Sequence, residues 1–158
     1  MSKQPIHLAA ERGDVRQLQL LLLQGANPDT VELEHGTSAL QFAAIEGKLA
    51  AVECLIEHKA TVDLMNRKGR TALHLAAANG FADVCAFLLD HGASIDKLTT
   101  GSWTALMWAA YGGKDSCAKL LLERKADSTL TVNNRTALDM AKARQMHNVV
   151  KLFNPNLF

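Results

Sequence analysis

Apolar residues along this chain fall into short paired blocks separated by polar stretches. In residues 69–80, GRTALHLAAANG, Leu73, Ala76 and Ala77 sit at i, i+3 and i+4, the spacing that lines one face of a short helix. Residues 81–92, FADVCAFLLDHG, put Val84, Cys85, Leu88 and Leu89 on the apolar face of a second helix. Thr71 suits the N-cap of the first helix, and Ala72 holds the N1 place that Pro5 fills near the start of the chain. Gly80 and Gly92 close the two helices, because glycine enters the left-handed region cheaply. Residues 94–102, SIDKLTTGS, are too polar for a third helix and predict an extended, turn-forming link.

The same pattern returns along the whole chain. Its first line begins at Gln4, Ser38, Thr71, Thr104 and Thr136, in steps of 34, 33, 33 and 32 residues. A second line follows each of the first four: LLLLQGANPD (20–29), CLIEHKATVD (54–63), FLLDHGASID (87–96) and LLLERKADST (120–129). A fixed period in this range signals a repeat architecture. A helix pair of this size cannot bury its apolar face alone, and its helices are too short to persist in isolation. Five stacked pairs make a continuous core, with the alanines allowing close helix approach. The expected fold is all-α: one solenoid domain over residues 1–158, with repeats at about 4–36, 37–70, 71–103, 104–135 and 136–158.

The repeated line resembles the ankyrin repeat family, whose T-P-L-H-x-A line is matched by Thr71-Ala-Leu-His-Leu-Ala76. It is matched with departures at Gln4–Ala9, Ser38–Ala43, Thr104–Ala109 and Thr136–Ala141. The resemblance implies an L-shaped stack of helix pairs with hairpin loops projecting to one side. It also implies that His7 and His74 bond the N-cap and the neighbouring loop, and that the chain binds another protein. Several positions depart from the family pattern. The link at 30–37 carries one extra residue and that at 130–135 lacks one, so both hairpins are expected to be irregular. Lys59 and Lys125 stand where the second helices otherwise end in glycine. The first unit lacks a leading hairpin, and Pro155 is expected to stop the last helix. Both ends therefore read as caps, and the chain as a self-contained protein or a cleanly excised domain.

Composition narrows the function. Formal net charge is +1, which gives no bulk attraction to nucleic acid or membrane. The halves differ: residues 1–63 hold 5 Lys/Arg against 9 Asp/Glu, and residues 64–158 hold 12 against 7. The N-terminus turns polar too early for a signal peptide, and no apolar run approaches a membrane span. Three cysteines without an export signal read as reduced thiols in a cytoplasmic protein, with the nucleus as the second compartment. A monomer is expected.

Catalytic and metal chemistry finds little support. Cys54 and His58 are i, i+4 on a helix, but zinc asks for four ligands and no second pair has ligand spacing. Cys54, Cys85 and Cys117 occupy second helices and read as core thiols rather than nucleophiles. No phosphate-cradling glycine loop occurs. Arg67-Lys68-Gly69-Arg70 is short for a nuclear signal and fits a solvated hairpin tip. MWAAY (107–111) also occurs in ankyrin regions attached to protein acyltransferases, but the Asp-His-His-Cys box of those enzymes is absent. No enzyme activity, cofactor or metal is expected. The alternatives are a targeting or regulatory part of an enzyme, and a small inhibitor like the ankyrin inhibitors of cyclin-dependent kinases.

The resemblance implies that a partner protein meets the concave side, at hairpin tips and at two late positions of each first helix. The tips map to Glu34, His35 and Thr37; Arg67, Lys68 and Arg70; Thr100, Gly101 and Trp103; Asn133 and Arg135. The helix positions map to Glu11 and Arg12, Ile45 and Glu46, Ala78 and Asn79, Tyr111 and Gly112, Ala143 and Arg144. Trp103 and Tyr111 are the expected anchors, because a tip tryptophan has no core to enter and aromatics with arginine anchor interfaces; the alternative is that Trp103 packs over its own hairpin. Trp108 stands where other repeats have Leu or Phe and reads as packing between repeats, with an interface role as the alternative. Arg67, Arg70 and Arg135 would steer an acidic partner segment that carries an apolar anchor.

Overall fold

The computed structural model describes residues 3–153. Its described residues form ten helices: α1 (Pro5–Arg12), α2 (Val15–Leu23), α3 (Ala39–Ile45), α4 (Leu49–Glu57), α5 (Ala72–Asn79), α6 (Ala82–Asp90), α7 (Ala105–Tyr111), α8 (Asp115–Glu123), α9 (Ala137–Ala143) and α10 (His147–Leu152). Odd-numbered helices pack in one row and even-numbered helices in a second, each pair joined by a tight turn. No described helix is long and apolar enough to cross a membrane. The expected stop of α10 at Pro155 lies outside the described residues.

Residue size explains the two rows. The inner row meets through Ala9, Ala10, Ala43, Ala44, Ala76, Ala77, Ala109 and Ala110, all buried, so neighbouring backbones approach closely. The outer row fills the remaining space with Leu18, Val52, Leu55, Cys85, Leu88, Ala118 and Leu121, each at 0% exposure. At roughly 1.5–3 kcal/mol per buried aliphatic side chain, this continuous core outweighs the poor intrinsic stability of helices of six to nine residues.

Each first helix is capped, and in the first three the capping side chain also ties down the loop that leads to the next repeat. His7 Nδ1 accepts from Gln4 N–H at 2.9 Å, while Nε2 donates to the Thr30 carbonyl at 2.8 Å. His74 repeats the arrangement, accepting from Thr71 N–H at 3.1 Å and donating to the Lys97 carbonyl at 2.8 Å. Gln41 does the same with an amide: Oε1 accepts from Ser38 N–H at 3.0 Å, and Nε2 donates to Leu64 O at 2.7 Å and Arg70 O at 2.9 Å. Each side chain thus reaches a carbonyl 23 residues ahead. Met107 keeps only the capping half: its Sδ accepts from Thr104 N–H at 3.5 Å, and a thioether has no proton to donate to residue 130.

The turn inside each helix pair needs a left-handed residue, and Gly47 shows why glycine holds it. Its φ is +64°, and an added Cβ would lie 2.4 Å from the Phe81 ring of the next repeat. Lys59 and Lys125 end α4 and α8 at φ 69° and 64°, as the sequence predicts from Gly25 and Gly92 at the equivalent places.

The two unusual links behave differently. Residues 30–37 are irregular as expected: the loop closes around the Glu32 carboxylate, which accepts N–H groups from Glu34 and His35 at 2.6 Å each and Thr37 at 3.1 Å. The 130–135 link is not irregular. Val132 and Arg135 exchange both backbone hydrogen bonds at 3.0 Å, and Asn133 and Asn134 take φ of 50° and 58°. This is a two-residue hairpin of the left-handed type that asparagine tolerates, so the missing residue is absorbed without disorder of the backbone.

Candidate protein-binding surface

Backbone hydrogen bonds tie the first three hairpins into a row. Arg67 N–H donates to the His35 carbonyl at 2.9 Å, and Thr100 N–H donates to the Lys68 carbonyl at 3.2 Å. Among the described residues, no backbone bond joins residues 131–135 to residues 99–102. The short last hairpin stands apart, and an open cavity of about 500 Å³ lies beside it.

Five side chains from the hairpin tips and the first helices make a stack. The Arg70 guanidinium carbon lies 4.4 Å from the Trp108 ring centroid. Trp108 and Trp103 centroids are 4.7 Å apart at 38°, and Trp103 meets Tyr111 edge-on at 5.4 Å and 82°. Arg144 covers the Tyr111 ring at 4.6 Å. A tilted or edge-to-face ring contact and a cation over a ring each satisfy the quadrupole of the aromatic face. A smaller copy sits at the other end, where Lys3 Nζ lies 4.5 Å from the Phe42 centroid.

This stack corrects the expectation that Trp103 has no core to enter. Its ring is half-buried and packs against both Trp108 and Tyr111 of α7 and against the apolar core. Trp108 packs between the Arg70 hairpin and Trp103, and its indole N–H is buried without a partner. Thr37 is also not a tip residue that faces outward: it is buried, with its N–H on Glu32.

The other sequence-predicted positions divide between two cavities. Trp103, Tyr111, Asn133, Arg135 and Arg144 line the first, with Val132, Met140 and Ala143. Ile45, Lys68 and Arg70 line a second of about 400 Å³, with Lys3, Glu32, Glu34, His35 and Phe42 among its other walls. Glu46, Arg67 and Asn79 are exposed but line neither; Asn79 bonds back to the Leu75 carbonyl at 2.8 Å. Sequence reasoning missed Lys3, Phe42 and Met140. Phe42 and Met140 hold the same register in the first helix as Trp108, which is the signal that could have found them.

Electrostatics separates the two ends. Glu32 and Glu34 stand by the second cavity, whereas two arginines and no carboxylate line the first. Burial alone would raise the Glu32 carboxyl, but the N–H groups of Glu34, Thr37 and His35 outweigh it and hold its pKa at about 2. Burial pushes the His74 pKa down against its bond to the Lys97 carbonyl, so the imidazole is neutral with its proton on Nε2. Glu32, Glu34 and His35 are close enough together to share an ion, but the Glu32 oxygens already serve three backbone donors. All three cysteines are free and buried. Cys85 is pushed up by its hydrogen bond with Cys117 and by burial, and Cys54 by burial and the nearby Glu57 charge.

The family model for ankyrin repeats (three copies) matches residues 6–99 and 95–156. A 62-residue segment is 45% identical to CAP-Gly domain-containing linker protein 3 of Mus musculus and of Homo sapiens, covering 36% of this chain. The match spans 11% of the length of those proteins.

Proposed function

The chain belongs to the ankyrin repeat family, whose repeats mediate protein–protein interaction, and on that premise we propose that it is a non-catalytic module binding a partner protein along its concave side. The observation that carries the reading is the Arg70–Trp108–Trp103–Tyr111–Arg144 stack. It gathers aromatic and arginine side chains, the types that anchor interfaces, on hairpin tips and first helices that the family uses for binding. The non-catalytic part rests on what the reactive side chains already do: the thiols fill the core, and His7 and His74 cap helices and tie loops. Among the rim charges, Arg67 and Lys68 act on association rate more than on affinity. The protein is read as a cytoplasmic monomer, with the nucleus as the second compartment.

A second reading, a targeting or regulatory part of a larger assembly, is favoured by the small share of the curated relatives that the match covers. The test is hydrogen exchange of the chain with a partner captured from cytosolic extract. Slowed exchange in the hairpins and late first helices supports the concave reading; slowed exchange confined to α6, α8 and α10 overturns it.

A further inference from the structure

The first cavity is a built site with a definite chemistry, and we infer that it takes an apolar side chain of an acidic partner peptide whose carboxylate is held by Arg135 and Arg144. This inference rests on the concave-binding reading and names the partner that reading leaves open. The walls are apolar, from Trp103, Tyr111, Val132 and Met140, and the rim carries Arg135 and Arg144. At about 500 Å³ it falls within the size range of ligand pockets, roughly 300–1,000 Å³, and is ample for one large side chain.

The rim charge is only partly offset, by Asp139, whose carboxyl is held down chiefly by its bonds to Thr136 and to a lesser degree by Arg135. Neither Arg135 nor Arg144 takes part in an ion pair with a described acidic side chain, and both are exposed. Arg144 lies with its guanidinium over Tyr111 at 4.6 Å, which fixes the group while leaving its N–H edges free for a bidentate carboxylate. The pocket lies beside the short 130–135 link, which makes no backbone bond to residues 99–102 of the kind that ties the earlier hairpins together. The far end of the concave side argues against a nucleic acid. A phosphate backbone following the groove would run onto Glu34, Glu46 and the rest of a segment with 9 Asp/Glu against 5 Lys/Arg. A short peptide with its acid at repeats four and five meets only Asp139, against Arg135 and Arg144.

The test uses the chain's own fluorescence, because its two tryptophans are both in the stack. Three capped, amidated heptapeptides are titrated at low salt, each with one phenylalanine followed two residues later by a pair of glutamates, glutamines or lysines. The glutamate form should give a saturable change and bind about tenfold tighter than the glutamine form, with the advantage shrinking as salt rises. The double variant Arg135→Glu/Arg144→Glu, at exposed positions, should reverse the preference to the lysine form. Equal titrations for the three peptides overturn the inference, and so does tighter binding of a single-stranded oligonucleotide than of the glutamate peptide. A captured partner that ignores the double variant but is lost with Glu46→Arg/Arg67→Glu overturns the pocket and leaves the concave reading standing. A partner indifferent to both variants overturns both.

Discussion

The guanidinium of Arg70 covers the ring of Trp108 from the hairpin that leads into α5, 4.4 Å from its centroid. The half-buried position of both residues makes this contact part of the stack's stability as well as its surface.

Arg70→Ala should therefore lower stability by about 1 kcal/mol, the scale of a partly desolvated cation–π pair, in urea melts. A double-mutant cycle with Trp108→Leu isolates the pair. A coupling near zero would mean that Arg70 is only a rim charge.

Met107→His should raise stability by about 1 kcal/mol, the net worth of one hydrogen bond. A histidine here would cap Thr104 as His74 caps Thr71, and its second nitrogen would face residue 130, the carbonyl 23 residues ahead. Thermal melts check it; an unchanged or lower midpoint means that the Leu130 carbonyl is out of reach.

Lys59→Gly and Lys125→Gly should each stabilise the protein by up to about 1 kcal/mol, because both lysines sit at positive φ. The converse Gly92→Ala, at φ +87° with open space around the added carbon, should cost a similar amount. Paired urea midpoints decide the sign in each case.

Acid should weaken the fold in two stages. His74 has a depressed pKa in the folded state, so the unfolded chain binds the extra proton first and stability declines as pH falls below the ordinary histidine value of 6.5. Glu32 is held at about 2 against an ordinary 4.5, so its contribution is complete above 4.5 and is lost as pH falls towards 2. Melting temperature against pH should show both declines. Glu32→Gln should flatten the lower one and cost about 2 kcal/mol at neutral pH, since charged acceptors make the stronger bonds.

The helix pairs and their stacking were legible because the period repeats every contact five times, and Lys59 and Lys125 could be placed left-handed from Gly25 and Gly92 alone. The hairpins were less legible. A residue count says that 30–37 is long and 130–135 is short, but not that Glu32 folds the first around its carboxylate or that Asn133 and Asn134 make the second a regular turn. Trp103 was legible as an unusual residue at a hairpin tip. Its resting place was not, because that depends on Trp108 and Tyr111 lying one and two turns along the helix beneath it.

The ties from His7, Gln41 and His74 fasten each first helix to the loop that leads out of its repeat, and the series stops at Met107. The hairpin row ends at the same place. The joint between the fourth and fifth repeats, at the 130–135 link, therefore carries neither tie, while α7 and α9 pack across it as the earlier first helices do. Trp103 and Tyr111 stand on one side of it, with Val132, Arg135, Met140 and Arg144 on the other. The pocket thus takes one wall from a link that keeps its shape by its own two-residue turn rather than by bonds to the hairpin before it.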